Sequence, residues 1–354
     1  MGSDRLDAGK AEVPRATFGG NNKHPKGNGF LRGLLILAGL LAVSVFCLLL
    51  GRYPSPGLIP IQSLIDDPTA RLIVFGSRLP RILGAILVGA ALGGAGAAFQ
   101  LVFANPLVEP GFLGVSQGAA FGAALALVLG ASMGATPALT AFVFALVALA
   151  LSSSLARHFR FGGAVLRLVL AGIAVSAVFS AGLAIIKYAA DPLSELPDIA
   201  FWTLGSLSGM NWSGLYTLAP PVIVSLGALW LFRRRIDLLS LEDDVSRSLG
   251  ARPELERALV LAFAALGVAA SVAMSGIVSW AGLVVPHVAR AIVGTDAKSS
   301  IPASMMLGSI FLVLCDTVAR MAFAGELPLG ATISAFGAII FIRFLATGRA
   351  KAVR

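Results

Sequence analysis

The chain has 354 residues, 57% of them hydrophobic and only 13% charged, with a formal net charge of +9 and a mean hydropathy of +0.88. A soluble domain carries about 25% charged residues, so this composition excludes an ordinary soluble protein. Several separate apolar stretches of about 20 residues indicate a polytopic membrane protein instead. The stretches are continuous and rich in Ala, Leu and Gly rather than alternating, which predicts an all-α fold of membrane-spanning helices.

The basic charge is distributed unevenly along the chain. Most of the 27 lysines and arginines lie in the two terminal tails and in loops that would share their side of the membrane. This asymmetry is the positive-inside bias, which predicts cytoplasmic termini and argues against nucleic acid as a partner. Cys47 and Cys315 fall inside apolar stretches and are predicted to pack between helices.

The chain divides into a membrane domain over residues 30–348 and two tails. Residues 1–29 are polar and are predicted to be a disordered cytoplasmic tail, and residues 349–354 form a short cytoplasmic tail. Ten spanning helices are predicted, at about 34–50, 78–103, 112–131, 136–157, 166–188, 213–232, 258–274, 281–290, 301–323 and 329–346. The eighth of these is short and interrupted. An even number of spans places both tails on the same inner side.

Two longer loops are predicted on the outside. Residues 51–77 hold four prolines and a predicted short helix at Ile61–Leu64. Residues 190–212 hold the segment FWTLGSL, predicted as a short helix at the membrane interface, a level that suits Trp202 and Trp212. The sixth spanning helix is expected to kink at Pro220-Pro221.

The segment Arg233–Arg257 is predicted to lie on the inner face, and its pattern differs from its surroundings. Apolar residues recur at helical spacing with acidic residues between them, and a glycine follows as a stop. One or two short amphipathic helices are therefore predicted within residues 236–256. This segment is therefore the candidate for coupling to a partner protein on the inner face, with a solvated connector as the alternative. The residues concerned are Leu238, Leu241, Glu242, Asp243, Asp244, Val245, Leu249 and Gly250.

No catalytic or nucleotide-binding motif is present in the sequence. The pattern GxxxxGK[ST] is absent, and the histidines, His24, His158 and His287, form no nucleophile–base arrangement. His287 is interpreted as a structural hydrogen-bonding residue, no metal site is predicted, and an enzyme is not expected. One function open to a polytopic membrane protein is ion-driven secondary transport. That class would need buried acidic residues or histidines at mid-membrane, for which Asp316 is the nearest candidate.

Six motifs follow one another along the chain. They are RLPR at 78–81, GAALGGAGAAFQ at 89–100, NPLVEPGFLGVSQGAA at 105–120, AGLVVPHVAR at 281–290, DTVAR at 316–320 and ELPLGATISAFGA at 326–338. Together they resemble the permease subunits of ATP-driven importers for ferric siderophores, haem and cobalamin. The resemblance implies a type II ABC importer permease that moves a metal chelate across a bacterial inner membrane by alternating access.

The same resemblance implies a set of partners. These are a second copy of the chain in a homodimer, two cytoplasmic ATP-binding subunits, and a periplasmic or lipid-anchored substrate-binding protein. ATP and Mg²⁺ would then be held by the ATP-binding subunits, with no cofactor bound by this chain.

Three arginines are predicted at the outer ends of helices. Arg78 and Arg81 open the second helix, and Arg320 lies near the end of the ninth. Cations on a charge-poor face could pair with carboxylates of a docking protein. In the resembling permeases, arginines at these motif positions meet glutamates of the binding protein. The alternatives are membrane-interface anchors and, for Arg320, an ion pair with Asp316 one turn away.

The NPL turn is the candidate for an inner gate. Pro106 disfavours helical geometry for Asn105, and irregular backbone at membrane depth is tolerated where it is buried or lines a cavity. The resemblance implies that Asn105 and Leu107 belong to the cytoplasmic constriction; the alternative is a simple helix break. The fifth helix has one face of small residues that could line the pathway or permit close packing, namely Gly172, Ser176 and Ser180.

Two places depart from the pattern of the resembling family. Ser279 and Trp280 stand where Gly-Phe is usual, and Gly337-Ala338-Ile339 stands where Gly-x-Pro is usual. Permeases for ferric siderophores, haem, corrinoids and molybdate share the motifs, so the motifs do not name the cargo.

Overall fold

The computed structural model describes residues 29–160, 163–323 and 325–346. The predicted tails, over 1–28 and 347–354, lie outside these ranges. The elements before the long central helix are α1 (Gly29–Leu49), β1 (Leu50–Gly51), β2 (Gly57–Leu58), α2 (Ile61–Asp66) and α3 (Pro68–Arg71), followed by a π-helical turn over Leu72–Arg78. The two short strands pair antiparallel, with Leu50 opposite Leu58.

The remaining elements are helices joined by short connections. They are α4 (Leu79–Val102), a 3₁₀ turn (Pro110–Leu113), α5 (Val115–Val128), α6 (Ala135–His158), α7 (Ala164–Ala189), α8 (Glu195–Leu204), α9 (Trp212–Leu239), α10 (Asp243–Ser248), α11 (Pro253–Ser275), α12 (Ala281–Val293), α13 (Ala297–Met321) and α14 (Leu329–Ala346). Within the described ranges, eight helices are long and apolar enough to cross a membrane, and α5 and α12 are apolar but shorter. The prediction of a helical polytopic membrane protein is confirmed.

Helix α4 lies at the centre of the bundle and is buried along almost its whole length. Its glycines permit backbone contact with neighbouring helices. Gly89 lies against the backbone of Gly308 in α13, Gly93 makes a similar contact one turn further on, and Gly96 lies against Gly282 in α12. A Cβ at any of these positions would collide with a carbonyl oxygen, so these glycines permit close packing of the helices.

The two ends of the bundle can be named from α4. Its N-terminal end carries Arg81, and we call this the arginine end. Helix α9 runs alongside in the same direction, because Met210 contacts Gly84 and Leu229 contacts Gly94. Since α9 leads into α10, we call the opposite end the α10 end.

The prediction of a loop over 51–77 is wrong for its second half. The chain is helical without interruption from Pro68 to Val102. The side chain of Asp67 accepts a hydrogen bond from the Thr69 amide at 2.8 Å and so caps the start of this helix. Prolines suggested a loop, but Pro68 occupies a first-turn position, where proline needs no amide hydrogen. The predicted short helix is present as Ile61–Asp66.

Two further boundaries differ from prediction. The predicted interfacial helix starts earlier, at Glu195, and stops at Leu204 because Gly205 adopts φ +77. The sixth predicted span continues past residue 232 to Leu239. The arginines there remain helical, and the guanidinium of Arg233 stacks on the Trp230 ring at 3.9 Å.

Candidate docking, coupling and gate sites

At the arginine end, Arg81 is buried and bound by two carboxylates. Its Nε donates to both oxygens of Asp316, at 2.9 and 3.1 Å, and its Nη2 lies 2.8 Å from Asp316 Oδ1. Its Nη1 donates to Glu326 Oε1 at 2.8 Å. The Asp316 side chain is 1% exposed and that of Glu326 is 41% exposed. Arg81 therefore connects α4 with α13 and with the segment before α14.

The other two predicted docking arginines bind the end of α1. Arg320 donates to the carbonyl of Leu50 at 2.7 Å and also to that of Cys47. Arg78 donates to the carbonyl of Leu48 at 3.4 Å, and its guanidinium lies against Gly51. The last carbonyls of a helix have no partner within the helix and carry partial negative charge, so both cations stabilise the C-terminus of α1.

We call the set Arg78, Arg81, Asp316, Arg320 and Glu326 the Arg81 cluster. The structure brings all three predicted docking arginines into this one cluster; it buries Arg78 and Arg81, at 7% and 8% exposure, and leaves Arg320 half-buried. Arg320 Nε lies 4.0 Å from Asp316 Oδ2, a looser contact than the predicted ion pair because Asp316 is bound by Arg81. With three cations and two carboxylates, the cluster carries one net positive charge. Sequence reasoning used ELPLG as a motif but missed its glutamate as a counter-ion.

At the other end, the predicted coupling segment forms a single helix of six residues, α10. Leu238 lies in the last turn of α9 and is half-buried, while Leu241 and Glu242 precede α10. Leu249 and Gly250 follow α10, and Gly250 adopts φ +84, which suits a residue without a side chain. The apolar positions face outward, since Leu241, Val245 and Leu249 are 41%, 46% and 57% exposed.

Polar contacts fix α10 to the ends of α9 and α11. Arg257 Nη1 lies 2.5 Å from Asp243 Oδ1, and Arg257 also donates to the Leu239 carbonyl at 2.9 Å. Ser246 Oγ donates to the Leu238 carbonyl at 2.5 Å. Of the predicted acidic rim, Asp243 is thus turned toward the protein, whereas Glu242 and Asp244 are exposed.

Arg247, an exposed cation of this segment, has two acidic neighbours. Arg247 pairs with Asp244 at 3.2 Å and with Glu254. The hydrogen bond to Glu254 raises the pKa of the Arg247 guanidinium above its usual range. The apolar stripe is therefore bordered by one cation that is already paired, Arg247, and by the exposed Glu242.

The predicted gate turn lies at the α10 end of α4. The helix ends at Val102, and Ala104 adopts φ +46, which is uncommon for a residue with a side chain. Asn105 Oδ1 accepts a hydrogen bond from the Leu107 amide at 2.9 Å, which closes the turn. The side chains of Asn105 and Leu107 are both exposed.

The three small residues predicted on one face of α7 have different environments. Gly172 is buried against the carbonyl of Phe112, with no room for a Cβ, and Ser176 lies near Gly114. Ser180 is exposed. Gly172 therefore permits close packing, which was one of the two alternatives left open by the sequence. This contact joins α7 to the irregular segment that follows α4.

Sequence reasoning missed a buried polar network beside the gate turn. Arg290 Nη2 donates to Gln100 Oε1 at 2.6 Å and lies 3.3 Å from His287 Nδ1. His287 Nε2 lies 2.9 Å from the carbonyl oxygen of Pro106. We call Gln100, Pro106, His287 and Arg290 the Arg290 network. His287 was predicted to be a structural hydrogen-bonding residue; of its two partners, Arg290 lies one turn further along α12 and Pro106 lies 181 residues away in the chain.

A second acidic side chain was also missed. Glu109 Oε1 accepts a hydrogen bond at 3.0 Å from the amide of Trp280, which adopts φ +70 at the start of α12. Asp316 was therefore not the only acidic group to consider within the bundle. The two departures from the resembling family contact each other, because the Trp280 ring lies against Gly337. No group of three or more His, Cys, Asp or Glu side chains in the described ranges could hold a metal ion.

A cavity of about 490 Å³ opens at the arginine end, between the N-termini of α6 and α9 and the C-terminus of α11. Trp202, Asn211 and Met274 are among the residues that line it. None of the predicted gate or pathway residues contributes to its walls.

The architecture defines a polytopic α-helical membrane protein with a buried ionic cluster at one end and an exposed apolar stripe at the other. The chain belongs to the FecCD transport family, which matches residues 38–347. The family resemblance inferred from the motifs is confirmed.

Three known proteins illustrate the similarity. The molybdate import system permease protein MolB of Haemophilus influenzae is 35% identical over 328 residues, covering 90% of this chain and 95% of MolB. A protein of Helicobacter pylori named as an iron chelatin transport system permease is 40% identical over 276 residues, covering 77% of this chain and 82% of the relative. A solved structure described as an inward-facing metal-chelate type ABC transporter is 33% identical with a TM-score of 0.82, covering 89% of this chain and 98% of that one. Other relatives carry the names of ferric-hydroxamate, haem and cobalamin import permeases.

Proposed function

We propose that this chain is the transmembrane permease subunit of a binding-protein-dependent ABC importer that moves a metal chelate across a bacterial inner membrane. The observation that carries the proposal is the exposed stripe of Leu241, Val245 and Leu249, held on a rigidly anchored α10. Exposed apolar side chains in a row are typical of a surface that another protein covers. Family membership supports an ATP-binding subunit as that protein.

The topology follows from counting α5 and α12 as spans. Together with the eight long helices they give ten crossings, with the irregular segments before α5 and α12 completing the passage. Ten crossings put both termini on one side, and the basic residues near α10 support the cytoplasm as that side. The α10 end is then cytoplasmic and the arginine end faces the periplasm or cell exterior.

Transport of the cargo would proceed by alternating access. Two copies of the chain form a pathway between them, two ATP-binding subunits hold ATP and Mg²⁺ against α10, and a substrate-binding protein docks at the arginine end. ATP hydrolysis takes place on the partner subunits, and this chain is the non-catalytic transport subunit. The exposed residues Asn105, Leu107 and Ser180 are candidates for the pathway and its inner gate.

The three arginines of the Arg81 cluster would contribute unequally to docking. Arg81 already binds two carboxylates, so it offers little to a partner. Arg78 and Arg320 bind backbone carbonyls, which carry only partial charge, and carboxylates of a docking protein would form stronger charge-assisted hydrogen bonds with them. The net positive charge of the cluster would also favour approach of an acidic surface.

The cargo belongs to the classes carried by the named relatives. We expect a ferric siderophore, haem or cobalamin, with molybdate as the oxyanion alternative suggested by the relative from Haemophilus influenzae. The chain presents mostly apolar and small residues along α7, which would hold such a ligand weakly and release it readily.

Uptake into proteoliposomes tests this function. The chain is reconstituted with its ATP-binding subunits and binding protein, and each of the four ligand classes is offered outside. Uptake of one class that requires ATP on the α10 side and the binding protein on the other supports the importer. Uptake driven by a proton or sodium gradient without nucleotide would instead support the secondary transporter.

A further inference from the structure

Helix α12 is attached to the gate turn through the Arg290 network. The carbonyl oxygen of Pro106 can only accept a hydrogen bond, so His287 Nε2 must carry the proton that it donates across 2.9 Å. His287 Nδ1 is then free to accept from Arg290 Nη2 at 3.3 Å. The imidazole is therefore neutral, and its two nitrogens connect the turn to the guanidinium.

Arg290 continues this connection into α4. Its Nη2 donates to Gln100 Oε1 at 2.6 Å, while the amide nitrogen of Gln100 donates to the Leu283 carbonyl of α12 at 3.1 Å. Arg290 is 6% exposed, and its Nη1 is buried with no hydrogen-bond partner among the described residues. Because the buried guanidinium has few partners, Gln100 and His287 cannot move away from it without leaving further donors unsatisfied.

A second attachment lies at the other end of the irregular segment. The Glu109 carboxylate accepts from the Trp280 amide at 3.0 Å. Pro110 packs so closely on Gly282 that a Cβ there would lie 2.8 Å from the proline ring. The two non-glycine residues with positive φ, Ala104 and Trp280, flank this double attachment in the described chain, so the backbone departs from its preferred geometry where the two elements are joined.

The start of α13, which follows the other end of α12 after a short connection, is attached to α9. Only the residues 294–296 separate α12 from α13. The Asp237 carboxylate, in the last turn of α9, accepts a hydrogen bond at 2.6 Å from the amide of Ala297, the first residue of α13. Two residues further along α9, the Leu239 carbonyl accepts from Arg257, which also holds α10 through Asp243.

We propose that these contacts form one mechanical connection from α10 to the gate turn. A displacement of α10 moves the end of α9, Asp237 passes it to the start of α13, and α12 then carries the turn through His287. Asp237 and His287 act as positioning residues. The inference rests on the proposed function for the meaning of gate and coupling, but the physical linkage can be measured in the permease alone.

The test uses the full chain in lipid nanodiscs with Val108→Cys as a reporter, because Val108 lies in the turn and is only 4% exposed, so that labelling requires the turn to move. Cys47 and Cys315 are both buried and are replaced by alanine, so the labelling rate by a membrane-impermeant maleimide reports the exposure of the turn. Asp237→Ala removes the acceptor at Ala297, and His287→Leu removes both bonds of the imidazole. One hydrogen bond of ordinary strength corresponds to a change of about fivefold, so each variant is expected to raise the labelling rate by about that factor.

The labelling rate of the double variant decides whether the two contacts belong to one connection. If the two contacts belong to one connection, Asp237→Ala combined with His287→Leu raises the rate no further than either change alone. Additive effects, or an unchanged rate in Asp237→Ala, would overturn the proposal. Asp296→Ala is the matched control, because it removes the bond from the Ser299 amide at the same helix start without touching Asp237. It is expected to leave the rate unchanged.

Conservative variants keep the test interpretable if a variant folds poorly. His287→Gln retains a donor near the Nε2 position and Asp237→Asn retains the acceptor, so both should label like the parent. His287→Asn places its amide near Nδ1 instead and should label like His287→Leu. Equal rates for the Gln and Asn variants would overturn the role of the bond to Pro106. No ATPase, nucleotide or binding protein is present, so failure of the importer proposal would appear in the uptake assay and not here.

Discussion

The Arg81 cluster and the Arg290 network both bury an arginine at an end of α4, but their partners differ. Arg81 faces two carboxylates, and one of them, Glu326, is 41% exposed. Arg290 is bound by an amide oxygen and a neutral imidazole. The first site is ionic and open at its rim, which suits exchange with a charged partner. The second is a cation held by neutral dipoles away from water, which suits the fixing of one geometry.

The largest effect is expected inside the Arg81 cluster. Asp316→Ala leaves the buried Arg81 with only the rim carboxylate, and breaking a buried ion pair costs about 3–5 kcal/mol. Glu326→Gln is the matched control and should cost less than about 1 kcal/mol, because its carboxylate is partly hydrated. Thermal unfolding in detergent measures both variants. Equal losses would contradict the division between a buried and an exchangeable carboxylate.

The next effect concerns the Arg290 network. Gln100→Leu removes the closest acceptor of Arg290, and an unsatisfied buried charged donor costs about 2–3 kcal/mol. Gln100→Glu keeps an acceptor for Arg290 but loses the donor to the Leu283 carbonyl, so it should unfold below the parent and at a clearly higher temperature than Gln100→Leu. If Gln100→Leu unfolds at that same temperature too, the network does not depend on this contact.

Local sequence signals predicted much of this molecule. Continuous apolar runs located the spans, and helical spacing located the exposed stripe of α10. The partners of the buried charges were not predictable, because Arg81 and Asp316 are 235 residues apart and either could have faced solvent. The positive φ angles of Ala104 and Trp280 were equally hidden, since only tertiary contacts hold non-glycine residues there.

At the α10 end, the exposed apolar stripe is expected to contact the ATP-binding subunit. Val245→Asp places a charge within the exposed stripe and should leave stability within about 0.5 kcal/mol of the parent. It should weaken retention of the ATP-binding subunit by about tenfold, because a charge would be desolvated in the contact. Co-purification from detergent measures retention. Leu129→Asp makes a similar change at an exposed residue of the arginine end and should have no effect.

The smallest effect is expected at the docking face. Arg78→Gln keeps a donor for the Leu48 carbonyl and removes the charge that would meet a partner's carboxylate. The binding-protein concentration that half-maximally stimulates ATP hydrolysis should rise by about fivefold at low salt. The difference should shrink at high salt, since salt screens the longer-range attraction between the net positive Arg81 cluster and an acidic partner surface. An identical stimulation curve at both salt concentrations would remove Arg78 from the docking face.

The central claim is that force enters at α10 and cargo is delivered at the arginine end. Substrate uptake and ATP hydrolysis, measured together in proteoliposomes with the parent chain or with Val245→Asp and Leu249→Asp combined, test it most directly. The parent should accumulate substrate only when ATP is present on the α10 side, and the double variant should lose uptake and binding-protein-stimulated hydrolysis together. Full uptake by the double variant, or accumulation without ATP, would contradict the account.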